Sequence, residues 1–171
     1  MDTKKPCLME AGHTDEMQTP PHAIIPLIPI LDKRLKIWEC AEGQGYLTNA
    51  LRLEGYNVIG TSEDFFTIEP PEYDCIVTNP PYKKKDDFIE HCYSLDKPFA
   101  LLMPLTALEG QRRQKLYKTW GVQLIFFNRR INFITPSGRG SGSWFATAWF
   151  TNGLHLENDI NFVEVEKDDF A

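Results

Sequence analysis

Tyr73-Asp74-Cys75-Ile76-Val77-Thr78-Asn79-Pro80-Pro81-Tyr82 is the stretch on which the reading of this chain turns. Tyr73 to Thr78 reads as a buried strand with β-branched residues near its end. The two prolines then stop it, because neither can donate a backbone hydrogen bond. In an open α/β sheet, ligands bind in the crevice beyond the carboxyl ends of the strands. The turn would present an amide side chain, a stiff backbone and an aromatic ring at such an edge. Taken alone, the quartet also fits a plain loop stop with an incidental tyrosine, so the surrounding chain decides.

Upstream, Leu35 to Cys40 reads as a strand and Ala41-Glu42-Gly43-Gln44-Gly45 as a glycine turn. Tyr46, Leu47, Ala50, Leu51 and Leu53 form the apolar face of a helix ended by Gly55, and Asn57 to Thr61 reads as a second strand. Strand, turn, helix and strand make a βαβ unit with a right-handed crossover. The first turn of such a unit aims backbone N–H groups and a helix N-terminus at a ligand. Gly43 and Gly45 permit its close approach, and Glu39 ends the first strand facing the same crevice. G-x-G by itself is a weak signal, and the third glycine of the dinucleotide pattern is missing. The short stretch between Thr61 and Tyr73 leaves no room for a helix plus a strand, so a third βα unit is expected to be abbreviated.

Elsewhere, residues 18–31 predict a short helix broken by Pro26 and Pro29. Helical spacing follows from Phe88 to Leu95, then an apolar strand from Phe99 to Met103. A basic amphipathic helix is predicted from Leu108 to Trp120, and a strand from Val122 to Phe127. After a Gly/Ser-rich loop at 136–142, Trp144 to Phe150 reads as an apolar strand. It can pair antiparallel with its predecessor, since no helix separates the two. Trp144 and Trp149 are expected in the core, and a short strand can form within 160–165. The expected organisation is a flexible segment at 1–17, one domain at 18–152 and an acidic segment at 153–171, with no separate target-recognition domain.

The 171 residues suit one domain with a sizeable core. No apolar run approaches the roughly 20 residues of a membrane span, and the start lacks a signal pattern, so a cytoplasmic protein is expected. Cys7, Cys40, Cys75 and Cys92 lack metal-ligand spacing and read as reduced thiols; no metal is expected. Net charge is −6, yet residues 80–140 carry 11 Lys and Arg against 5 Asp and Glu, making that stretch +6 and the remainder −12. A basic face on an acidic body suits a polyanion held at one edge, and fits solvated helix faces equally well.

With Glu39-x-x-x-Gly43-x-Gly45 after one strand and Asn79-Pro80-Pro81-Tyr82 after a later one, the sequence resembles the S-adenosylmethionine-dependent N6-adenine DNA methyltransferases. The resemblance covers about residues 18–152. It implies a Rossmann-like class I methyltransferase fold: a mostly parallel sheet with an antiparallel last strand and helices on both faces. It implies S-adenosylmethionine as cofactor and nucleic acid as partner, DNA ahead of RNA. Thr19 and Pro20 resemble the segment that contacts the methionine end of the cofactor. Glu39 stands like the acid near the methionine amino group, with Ala41, Gly43 and Gly45 making room for the backbone. Glu63 is the first choice for the ribose hydroxyls and Asp64 for the cofactor adenine, with Phe65 beside the ring; the two acids can exchange roles. Asn79 borders both cofactor and substrate. Cys40 departs from the family's usual proline, and Glu42 is an extra charge beside the pocket.

The exocyclic amine of adenine is a poor nucleophile because its lone pair is delocalised into the ring. Acceptors aimed at its hydrogens favour the tetrahedral nitrogen that attack requires. The Asn79 side-chain oxygen and the Pro80 carbonyl supply that pair, Pro80 and Pro81 stiffen it, and Tyr82 can stack on an extruded base. Lys83, Lys84, Lys85, Arg112, Arg113, Arg130 and Arg139 are candidates for phosphate contacts. Competing readings are an RNA adenine, a protein glutamine amide, or a cofactor- or nucleic-acid-binding subunit without catalysis. Target recognition would come from loops, a partner or a homodimer. So small a form suits a phage-like or mobile-element modification enzyme.

Overall fold

Alternation along the central strands sorts the core into two layers. Cys75 and Val77 face one side of their strand and Ile76 the other; Ala100 and Leu102 oppose Phe99, Leu101 and Met103 in the next. The computed structural model describes residues 17–135 and 145–166. Residues 1–16, 136–144 with Arg139 and Trp144, and 167–171 lie outside the described residues.

The strands are β1 (Lys36–Glu39), β2 (Asn57–Gly60), β3 (Cys75–Thr78), β4 (Phe99–Pro104), β5 (Gln123–Phe127), β6 (Thr147–Asn152) and β7 (Ile160–Val163). They form one sheet in the order β2-β1-β3-β4-β6-β5-β7. Only β6 runs against the others, pairing antiparallel with both β4 and β5. The expected antiparallel strand is therefore β6, and the chain then adds β7 at the edge, parallel to β5. One face carries α1 (Tyr46–Leu53) and a 3-10 turn, Pro21–Leu27, with Pro26 inside it. The other carries α2 (Lys85–Ser94), against which α3 (Gln111–Trp120) packs. The helix expected from Leu108 begins only at Gln111, because Gly110 takes φ 97° and breaks the path.

Among the described residues, none between Gly60 and Cys75 forms a strand or helix. In place of a third helix, Phe65 plugs the face of the sheet, stacked on Phe88 of α2 with ring centroids 4.2 Å apart. Trp149 of β6 spans the opposite layer. Its indole N–H donates to the Ala23 carbonyl at 2.8 Å, which satisfies a polar group that is otherwise wholly buried.

Candidate functional site

β1 pairs with β2 on one side and β3 on the other, so the chain leaves β1 in one direction and returns on the opposite flank. Such a reversal opens a crevice at the carboxyl ends of the two strands. A cavity of about 500 Å³ lies there, within the range of small-molecule sites. Its walls come from Met17 to Thr19, the glycine turn, Ser62 to Phe66 and Asn79 to Tyr82.

Glu39 closes β1 with a side chain only 1% exposed. Its Oε1 accepts from the Ala41 N–H at 3.0 Å and from the Thr78 hydroxyl across the switch point. Burial raises the carboxyl to about 7; the bonds from Thr78 and Ala41 work against that rise, and nearby Glu42 adds to it. The turn that follows uses its glycines for shape: Gly43 has φ 56° and Gly45, the N-cap of α1, has φ 80°. Gln18 lies over this turn. Its Oε1 accepts from the Gln44 N–H at 3.1 Å, and a Cβ on Gly43 would come within 2.9 Å of the same oxygen. The Gln18 backbone also exchanges two hydrogen bonds with Ile134, at 2.8 and 2.9 Å. Residues 17–19 are thus strapped between the glycine turn and the segment after β5.

Asn79 follows β3 directly. Its Oδ1 is buried and has no hydrogen-bond partner among the described residues. A buried acceptor left in this state costs about 1–3 kcal/mol, so a donor from water or from a ligand in the cavity would stabilise the position. Pro80 is buried behind it, and Pro81 holds φ −63° before a short 3-10 turn, Tyr82–Lys84. The Tyr82 ring meets Phe145 edge-on at 5.8 Å, and Phe145 lies 6.3 Å from Phe133. These rings bring the turn after β3, the segment after β5 and the approach to β6 into one aromatic wall.

The cavity collects most of the residues singled out from the sequence: Thr19, Glu39, Ala41, Gly43, Glu63, Asp64, Phe65, Asn79, Pro80, Pro81, Tyr82 and Lys84. Pro20 and Gly45 stand behind it, starting the first 3-10 turn and α1. Both acids after β2 are exposed and locally engaged: Glu63 Oε2 accepts from the Ser62 N–H at 3.1 Å, and Asp64 Oδ1 from the Phe66 N–H at 3.0 Å. Phe65 is only 4% exposed, while half-buried Phe66 has the Lys84 ammonium 5.8 Å from its ring.

Lys83 and Lys85 do not line the cavity. Arg112 turns toward α2, pairing with Asp87 at 2.8 Å and with Glu90, and Arg113 pairs with Asp86 and donates to the Ala107 carbonyl at 2.9 Å. Arg130 is exposed after β5, and Arg139 lies outside the described residues. Sequence reasoning missed Gln18, Thr78, Phe66 and Phe145 as parts of the site. Thr78 carried a signal, a hydroxyl at the end of an apolar run; Gln18 carried none. Among the described residues no group of three His, Cys, Asp or Glu could hold a metal ion, and no helix is long and apolar enough to cross a membrane.

No protein-family model and no curated protein matches the sequence. Solved structures do. A dimethyladenosine transferase from Plasmodium falciparum aligns at TM-score 0.52 and 15% identity, over 80% of this chain and 62% of its own. A class I S-adenosylmethionine-dependent methyltransferase from Listeria monocytogenes aligns at TM-score 0.53 and 8% identity, over 91% of this chain and 68% of its own. The modification subunit of a type I restriction enzyme from Vibrio vulnificus YJ016 gives 0.53 and 12%, over 92% of this chain and 49% of its own. This chain therefore spans less than two thirds of the first and third. Sheet order, crevice and these alignments together establish the fold as that of the class I methyltransferases.

Proposed function

We propose that the protein transfers a methyl group from S-adenosylmethionine to the exocyclic N6 amine of adenine in nucleic acid, with DNA as the preferred substrate. The observation that carries this reading is the Asn79 Oδ1, a buried acceptor with no described partner, at the wall of a cavity that also holds the buried acid Glu39. The cavity suits the donor: its size is right, its acids Glu39, Glu42, Glu63 and Asp64 complement a ligand carrying an ammonium and a sulfonium, and the α1 N-terminus opens onto it through the glycine turn. The described solved neighbours include a dimethyladenosine transferase and a restriction-enzyme modification subunit, which supports a nucleic-acid adenine.

S-adenosylmethionine supplies an electrophilic methyl group when bound. Glu39, once ionised, would pair with its ammonium, and the turn from Ala41 to Gly45 would leave room for its carboxylate end. On the substrate side, Asn79 Oδ1 and the Pro80 carbonyl accept from the amine hydrogens and localise the nitrogen lone pair. With its hydrogens held by these two acceptors, the amine would present its lone pair to the methyl group and could release its surplus proton to water. Tyr82, whose ring meets Phe145, would stack on the base, and Lys84, on the cavity wall, would pair with a flanking phosphate.

Incubating the protein with isotopically labelled S-adenosylmethionine and separate DNA, RNA and protein pools tests the proposal. Label is expected in DNA, as N6-methyladenine. Label confined to RNA or to glutamine would move the substrate; none in any pool, with the cofactor bound, would favour a subunit without catalysis.

A further inference from the structure

Gly60, the last residue of β2, lacks the positive φ that makes glycine necessary at positions 43 and 45. Space explains it. A Cβ there would lie 2.1 Å from Oε1 and 2.3 Å from the carboxyl carbon of Glu42. The Glu42 carboxylate therefore lies across the carboxyl end of β2, where a side chain would otherwise project. Its backbone is fixed in that place: the Glu42 N–H donates to the Thr61 carbonyl at 3.1 Å, and its carbonyl accepts from the Gly45 N–H at 2.9 Å. Glu42 lines the cavity, and its carboxylate makes no hydrogen bond or ion pair with another described residue. Glu63 and Asp64, the acids that follow β2, instead each accept a bond from their own turn.

A vicinal diol is best held by two acceptor oxygens of one carboxylate, and charge-assisted hydrogen bonds of this kind are the strong ones. We propose that Glu42, reaching over from the turn after β1, accepts the 2′- and 3′-hydroxyls of the cofactor ribose, in place of Glu63. This assignment rests on the reading of the cavity as an S-adenosylmethionine site. Gly60 is the counterpart of Glu42 in this arrangement, kept bare so that the carboxylate can lie flat on the strand end.

Binding calorimetry on the full chain tests it, with S-adenosylhomocysteine and its 2′-deoxy analogue as probes. Wild type is expected to bind the parent compound about ten- to a hundred-fold more tightly than the deoxy analogue. Glu42→Gln should weaken the parent by a similar factor and bind the two probes nearly alike. Gly60→Ala retains the charge but displaces a flexible carboxylate, and should reproduce the same loss while melting near the wild-type temperature. Discrimination retained in both variants, or lost only in Glu63→Gln, would overturn the assignment. Should Glu42→Gln fail to fold, Gly60→Ala against Glu63→Gln still decides. A wild type that binds neither probe removes the cofactor reading itself, and this assignment with it; a wild type that binds both equally removes only the assignment.

Discussion

Two turns face each other across the switch point, and they handle a buried oxygen in opposite ways. After β1, Glu39 Oε1 is wrapped by the chain itself, with bonds from Ala41 and Thr78. After β3, Asn79 Oδ1 is equally hidden from water and has no partner among the described residues. The first oxygen is already held by the protein and needs only a charge to complete it. On the proposed reading, the second would take its donor from the substrate amine. Full internal satisfaction suits a residue that fixes a cofactor, whereas an acceptor that gains its bond only when substrate arrives suits the chemical step.

The largest expected effect comes from removing the waiting acceptor. Asn79→Ala should lower the methyl-transfer rate constant by about 10²–10³-fold in single-turnover assays. S-adenosylhomocysteine affinity should hold within a few-fold, and folding stability within about 1 kcal/mol, because no internal bond is lost. Undiminished transfer in that variant would make the two turns equivalent and sink the mechanism.

Next is the charge on Glu39. Its carboxyl lies near 7 in the folded protein against 4.5 for an ordinary glutamate, so the folded state binds the extra proton. Its contribution to stability is therefore complete below about pH 4.5 and is lost as pH rises through 7, by up to about 3 kcal/mol. Urea denaturation across that window should show a decline in wild type that Glu39→Gln lacks. Saturating S-adenosylhomocysteine should oppose the decline, since its ammonium favours the ionised acid. A wild-type pH profile parallel to that of Glu39→Gln would mean that Glu39 is not held protonated by its burial.

Thr78→Val is the smallest of the three. It removes one donor to Glu39 while keeping shape, at a cost of about 1–2 kcal/mol. Because the Thr78 bond lowers the Glu39 pKa, the decline in stability should shift to higher pH. An unmoved midpoint would show that the Ala41 N–H alone holds the carboxylate.

Much of the fold was legible because local chemistry dictated it. Apolar alternation marked the strands, Gly43 and Gly45 marked the first turn, and Pro80-Pro81 marked the stop after β3. The crowded interval between β2 and β3 correctly implied a missing helix, although not that Phe65 would fill the gap against Phe88. The remainder depended on partners distant in sequence. Nothing near Gln18 says that it will pair with Ile134, and nothing near Phe145 says that it will brace Tyr82. Arg112 and Arg113 show the same limit for charge: their spacing offered a basic face, while α2 supplied Asp86, Asp87 and Glu90 to engage it. A contact with a phosphate and a plain interhelical ion pair look alike in one dimension.

The position of β6 has a consequence for biosynthesis. It is inserted between β4 and β5 although it follows both in the chain, and its Trp149 reaches back to Ala23, made 126 residues earlier. During translation β1, β2, β3 and β4 can pair as they emerge, while β5 has no neighbour to join until β6 is synthesised. A nascent chain stopped short of Asn152 therefore exposes the bare edge of β4 and an orphan β5, the kind of unpaired strands that invite association with other chains. Completing the sheet is a late event, gated by the emergence of one strand from the ribosome.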